Sequence, residues 1–401
     1  MGKAPAAALR ETTAADLHKK IPVVDAHQEI LDEFVYRFVL EENEVTAGRK
    51  SIFDEVYLPV LQQQGVSFVN MAVGGDHVAQ VLYSASNFRF WDAHKKIDAL
   101  LTELEGTCRS FILCRTAADI ETARKQEKIG IFLTISGGRP LEGKPNLSLL
   151  SSLRSLYRAG LRGIQLTGNG RNRLADGAGQ TRSMGQLTDF GVAVVKEAER
   201  LGIVVDTAQL SDRGFFDVAE LAERPFIDSH TCAAAVSAHP RNISDDRLKV
   251  IAEKGGIVGV SFRAALNAAD KESPDMEDLL RHIDHIVECA GIDSVALGPD
   301  YSAYSTPTCR DKIRGYANRG PDFCDFDRFT PVQSEKYPGW VEGVFYGIRK
   351  SDFVRGAESH ESFSKMIPAL FGLGYTEQEI KKIAGENFLR VYREVLPAVS
   401  Q

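Results

Sequence analysis

Short β-branched runs recur along the chain, and each is followed by a longer stretch with apolar residues at helical spacing, the pattern of parallel βα units. Eight such runs can be marked: PVVDAH (22–27), VSFVNMAV (66–73), GIFLTIS (130–136), GIQLT (163–167), GIVVDTAQ (202–209), FIDSH (226–230), GIVGVSF (256–262) and SVALGPD (294–300). Eight parallel strands with intervening helices close into a (β/α)8 barrel, and such barrels often exceed about 250 residues as one domain. The 401 residues are therefore read as one barrel domain, 1–401. Several runs open with Gly-Ile or Gly-Val directly after a stretch rich in Leu, Ala, Glu and Arg, as in LSSLRSLYRAGLRGIQL. A glycine that ends a helix and feeds a strand accounts for that junction. Two segments interrupt the alternation, about 31–60 after the first run and about 301–356 after the eighth. Both follow C-terminal strand ends, so both are expected over the barrel mouth, and the second is long enough to act as a lid.

Charge and cysteine content narrow the partners. A formal net charge of -7, with acidic and basic residues mixed along the chain, leaves no basic stripe for nucleic acid and no polybasic segment for anionic lipid. A small molecule or a second copy of the chain is the expected partner. The six cysteines form no CxxC pair and are too few for a disulfide framework, which reads as reduced thiols in a cytoplasmic protein. The first twenty residues have no apolar core of a signal peptide, and no segment approaches about 18 uninterrupted apolar residues.

The strand ends carry the chemistry. In a barrel, residues at the C-terminal ends of the strands converge on one pocket, and a polar group there must be satisfied or must serve a site. Those ends supply His27 and Glu29 from the first run, Ser136 from the third, Thr167 and Gly168 from the fourth, Gln209 from the fifth, His230 from the sixth and Asp300 from the eighth. Imidazole and carboxylate together are the ligands of a divalent ion. Taken alone, His27 and His230 read as hydrogen-bonded core histidines, and Asp300 after Gly298-Pro299 reads as a turn cap. Glu29, two residues past His27 and on the same face, shifts the balance toward a site. Arg241 in HPRN is either a surface arginine or a bidentate grip for a carboxylate. His77, His94, His239, His282, His285 and His360 have no motif around them and are assigned to surface or loops, and the helical pair His282 and His285 to an exposed face. GNGRNRLADGAGQ lacks the frame of a nucleotide-binding loop.

The segments PVVDAHQE, TISGGRPL, VVDTAQLS, FIDSHTCAAAVSAHPRNISDD, GGIVGVSF and VALGPDY, in that order, resemble the renal or membrane dipeptidase family of the amidohydrolase superfamily. The resemblance runs from about Ile21 to the C-terminal YTEQEIKKIAGENFLRVYREV. It implies a homodimeric metallohydrolase with two zinc ions at the barrel mouth, and the chain departs from that pattern at several positions. His27 is kept, while Glu29 stands for an aspartate. Ser136 stands for the glutamate that bridges the metals, Arg139 for a histidine, Gly168 for a substrate-contacting histidine and Gln209 for a histidine ligand. His230, the carboxylate-binding Arg241 and the general base Asp300 are retained. What the resemblance implies here is one zinc ion or none, held by His27, Glu29 and His230, with Asp300 and His230 catalytic and Arg241, Arg139, Gln209, Ser136 and Gly168 around the substrate. Three functions remain open: a mononuclear hydrolase of a small carboxylate-bearing dipeptide-like or amide substrate, a metal-free enzyme tailoring a peptide-derived metabolite, and a non-catalytic small-molecule binding protein.

Overall fold

A computed structural model describes residues 21–29, 51–76, 90–142, 149–268, 270–271, 273–302, 306–316 and 353–398. Its centre is a parallel barrel built from β1 (Val23–Glu29), β2 (Val66–Gly75), β4 (Ile129–Ser136), β5 (Leu161–Gln165), β6 (Val204–Asp206), β7 (Ile227–Thr231), β8 (Ile257–Val260) and a last strand in two pieces, β9 (Val295–Leu297) and β10 (Tyr301–Ser302). The pairing of β10 with β1, at Gln28↔Tyr301 and Glu29↔Ser302, closes the ring. All eight runs marked in the sequence contribute a barrel strand. A further short strand, β3 (Phe111–Leu113), pairs with the first half of β4 and leaves the second half to β5. Its three residues are too few to show a period in the sequence.

The barrel interior is apolar where the strands begin. Val24, Phe68, Phe132, Val204, Ile227, Ile257 and Ala296 form one cluster with Phe388 and Tyr392 of the last helix, Asn387–Val395. That helix plugs the end of the barrel where the strands start, and the Tyr392 hydroxyl donates to Asn70 Oδ1 at 3.1 Å. The second, larger core lies between the strands and the surrounding helices. Several helix starts are capped as their sequences require. Thr116 and Asp275 form capping boxes, and Thr188, Ser211 and Ser244 each accept a backbone N–H from the first turn.

Most of the two interrupting segments, residues 31–50 and 317–352, lies outside the described residues. Their described flanks pack on each other. Cys309 Sγ donates to the Val56 carbonyl at 3.5 Å, and Lys312 Nζ to that of Glu55 at 2.7 Å. Two histidines assigned to the surface are buried. His282 accepts the Ala233 N–H at Nδ1 (3.1 Å), and its Nε2 lies 2.9 Å from the Asn267 carbonyl, so it stitches its helix to two loops. His360 lies in the core with Nε2 2.8 Å from Asp25 Oδ2 and Nδ1 3.2 Å from Thr306 Oγ1. Helical spacing marks which residues share a face, not which face meets a loop, so the sequence pattern could not place either ring.

A candidate metal centre at the barrel mouth

The strand ends are re-aimed by breaks in pairing. The β1–β2 register shifts between Asp25 and Gln28, and the β7–β8 register shifts between Asp228 and Thr231, so each irregularity brackets a histidine. Such bulges turn a side chain away from strict alternation. Here they bring His27 and His230 face to face, with ring centroids 4.0 Å apart and planes inclined by 26°.

The two rings differ in what their nitrogens do. His230 is fully hydrogen-bonded: Nδ1 lies 2.8 Å from Ser229 Oγ, and Nε2 lies 3.0 Å from Gln209 Nε2, so Nε2 accepts and Nδ1 carries the proton. His27 is also completely buried, yet neither ring nitrogen has a hydrogen-bond partner. Its Nε2 faces Glu29 Oε1 at 3.7 Å and Asp300 Oδ1 at 4.0 Å. Burial pushes the His27 pKa down, but the neighbouring carboxylates of Glu29, Asp300 and Asp206 outweigh it and hold the ring above its usual range.

The expected ligands His27, Glu29 and His230 do not form one group among the described residues: together with the expected base Asp300 they fall into two groups that share His27. Ligand atoms of His27, Glu29 and Asp300 lie within 4.8 Å of one another, and so do those of His27, Asp206 and His230. Asp206 was not singled out in the sequence. It ends β6 in GIVVD, where a buried carboxyl accepts the Ala208 and Ser229 N–H groups at 3.0 Å through Oδ1 while Oδ2 has no hydrogen-bond partner. Burial raises its pKa. The available signal was an aspartate inside an apolar run, the same mark that Asp25 bears in PVVD.

Asp300 sits in the break between β9 and β10 with φ 65°, and Gln209 has φ 66°. Left-handed backbone is costly for a glutamine and tolerable for an aspartate, and it persists where the surroundings over-determine it. For Asp300 those surroundings include Arg263, another residue without a sequence signal. Its Nε donates to Asp300 Oδ2 at 2.8 Å and its terminal nitrogen to the Asp300 carbonyl at 2.8 Å. One carboxylate oxygen is thus fixed by the guanidinium, and the other is turned toward His27.

The other expected site residues are placed as follows. Arg241 donates to the His230 carbonyl at 3.0 Å, and Thr231 Oγ1 donates to the Arg241 carbonyl at 2.8 Å, so the guanidinium is fixed beside β7. Ser136 Oγ donates to Gln165 Oε1 at 3.2 Å. Gly168 and Arg139 meet at Asp76, a buried carboxyl that accepts the Gly168 N–H at 3.1 Å, the Arg139 N–H at 2.9 Å and Asn172 Nδ2 at 2.7 Å. A Cβ on Gly168 would lie 2.8 Å from Asp76 Cβ, so the glycine is required by that packing.

Residues 11–314 match the membrane dipeptidase family, peptidase family M19. An uncharacterized protein in the pqqA 5′ region of Klebsiella pneumoniae is 30% identical over 226 residues, 54% of this chain and 80% of that protein. Dipeptidase verJ of Clonostachys rogersoniana is 29% identical over 208 residues, 52% of each, so that match spans about half of the relative. Among solved structures, the probable dipeptidase PvdM of Pseudomonas aeruginosa aligns with a TM-score of 0.70 at 17% identity over 96% of this chain and 98% of that one. A metallo peptidase of Rhodobacter sphaeroides, liganded with a phosphinate mimic of the dipeptide L-Ala-D-Ala, aligns at 0.69 and 20% identity over 94% and 99%. These two likenesses show a shared fold. The chain belongs to the membrane dipeptidase family, peptidase family M19, and is a dipeptidase-like enzyme.

Proposed function

We propose that this protein is a metal-dependent hydrolase that cleaves a small dipeptide-like amide bearing a free carboxylate, with one divalent ion held by His27, Glu29 and Asp300. The observation that carries the reading is the buried His27 ring, both of whose nitrogens lack a hydrogen bond while two carboxylates stand 3.7 Å and 4.0 Å from Nε2. A buried imidazole whose nitrogens make no hydrogen bond costs free energy, and oxygens at that spacing fit a shared dication better than a hydrogen bond. Ser136 and Gln209, where the family pattern has a bridging carboxylate and an imidazole, are instead bonded to Gln165 and His230, which supports a single ion over two.

A zinc ion bound there would supply Lewis acidity toward the scissile carbonyl. The protein's own groups do the rest. Asp300 Oδ1 takes the proton of the attacking water as the C–O bond forms and returns it to the leaving amine nitrogen as the C–N bond breaks. Arg263 keeps the other oxygen of that carboxylate occupied, so Oδ1 is the one presented. His230, locked by Ser229 and Gln209, forms a flat wall behind His27. Arg241 grips the substrate carboxylate, and Arg139, whose guanidinium donates to the Arg171 carbonyl at 3.3 Å, adds a second positive charge, which favours acidic over neutral dipeptides.

Elemental analysis of protein purified without added metal or chelator, together with hydrolysis of neutral and acidic dipeptides, tests the proposal. About one equivalent of metal at the barrel mouth, missing from His27→Ala, and a preference for the acidic substrates are expected, and Arg241→Ala should weaken substrate binding by about 1.5–3 kcal/mol. Metal-free protein, or efficient turnover of Gly-Leu together with unchanged binding in Arg241→Ala, would overturn it.

A further inference from the structure

Away from the barrel mouth, two helices bring three metal-binding side chains together. Asp245 is the first residue of the helix Asp245–Glu253, within the ISDD stretch. His285 and Cys289 lie four residues apart on the helix Met276–Ala290, so they share a face. His285 Nε2 is 2.8 Å from Asp245 Oδ1 and 3.4 Å from Cys289 Sγ, and one ligand atom from each residue lies within 4.8 Å of the other two. All three are half-buried, with the His285 side chain 22% exposed and that of Asp245 41%.

We infer that Asp245, His285 and Cys289 form a second, peripheral binding site for a borderline-soft divalent ion such as zinc, pinning the helix Met276–Ala290 to the start of the helix Asp245–Glu253. One sulfur, one nitrogen and one oxygen make a donor set that favours zinc over magnesium or calcium, which prefer oxygen alone. The half-exposed rim leaves a fourth position for water. Ligand atoms around a zinc ion stand roughly 3.3–3.8 Å apart, so the triad needs shifts of less than about 1 Å to close on one. A dication there takes the place of the Cys289 thiol proton, which is released to solvent. His282, one turn earlier, is fully engaged with Ala233 and Asn267, so of the two helix histidines only His285 faces this cluster.

Cobalt reports this site separately from the barrel mouth, because the ligands proposed there include no thiol. Full-length protein, stripped with chelator and titrated with Co²⁺, should show a thiolate-to-cobalt charge-transfer band in the near ultraviolet. The band should be lost in Cys289→Ser, and in wild-type protein Zn²⁺ should slow alkylation of Cys289, followed by peptide mass spectrometry, by about tenfold or more. The alkylation arm needs no variant, so it decides the question even if Cys289→Ser fails to fold. Absence of the band in wild-type protein, its persistence in Cys289→Ser, or alkylation of Cys289 at the same rate with and without Zn²⁺ would overturn the assignment.

Discussion

Asp300 and Arg263 show how a site residue is made specific by a neighbour the sequence does not advertise. The carboxylate bonds the guanidinium through Oδ2 and presents Oδ1 to His27. Outer partners of metal ligands commonly change metal affinity by about 10- to 100-fold when removed. Arg263→Met is therefore expected to weaken zinc binding at the mouth by that factor in a chelator-competition titration, with partial recovery in Arg263→Lys; equal affinities would deny Arg263 this part. His27, Glu29, His230 and Asp300 were all legible as strand-end polar residues, and the structure sets them at one end of the barrel. Asp206 and Arg263 were not, for different reasons. Asp206 resembles the structural aspartates Asp25 and Asp228, which also end apolar runs, and only its distance from His27 separates it from them. Arg263 lies past the end of β8, and no sequence spacing relates it to Asp300.

At the level of elements, the alternation of runs revealed the barrel, while side chains that link elements far apart in the chain stayed hidden. His360 is one such link, tying the C-terminal segment to β1 through Asp25. His360→Ala leaves the buried Asp25 carboxyl without its ring partner and should cost about 1–3 kcal/mol in urea unfolding; a loss below a few tenths would mean the contact is idle. Glu103 is another. It lies in the helix Phe90–Gly106, and its Oε1 accepts the Phe53 N–H at 2.6 Å and the Ser51 hydroxyl at 3.0 Å, fastening that helix to the segment after β1. Burial, helped by the nearby Asp54 charge, outweighs those two donors and pushes the Glu103 carboxyl up to about 7. A carboxyl raised in the folded state is favourable when protonated, so its contribution is complete below about pH 4.5 and is lost as pH rises through about 7. Glu103→Gln keeps an acceptor for both donors and removes the ionisation. It should flatten the stability profile between about pH 5 and 7 and raise the unfolding free energy at pH 8 by up to about 3 kcal/mol. A variant that parallels wild type across that range would show that Glu103 does not titrate there.

For the whole molecule, the barrel separates stability from chemistry along its axis. Apolar side chains from the strand starts and the last helix fill one end, and polar groups that would be costly in such a core gather at the other. A ligand-free mouth of this kind carries three carboxyl groups, Glu29, Asp206 and Asp300, around one imidazole. Folding then brings like charges together, and a dication relieves that cost. An ion that binds only the folded chain stabilises it by mass action, about 2.7 kcal/mol at a hundredfold excess over its dissociation constant. In the Cys289→Ser background, which removes the peripheral thiol, zinc should bind at about one equivalent and raise the unfolding midpoint in proportion to the logarithm of its concentration. Adding His27→Ala removes the one ligand common to both groups, so it should abolish the bound equivalent and the concentration dependence together. Retention of either in the double variant would place the ion somewhere other than His27. Two equivalents in Cys289→Ser would mean that the mouth holds a second ion, with the His27–Asp206–His230 group as its place.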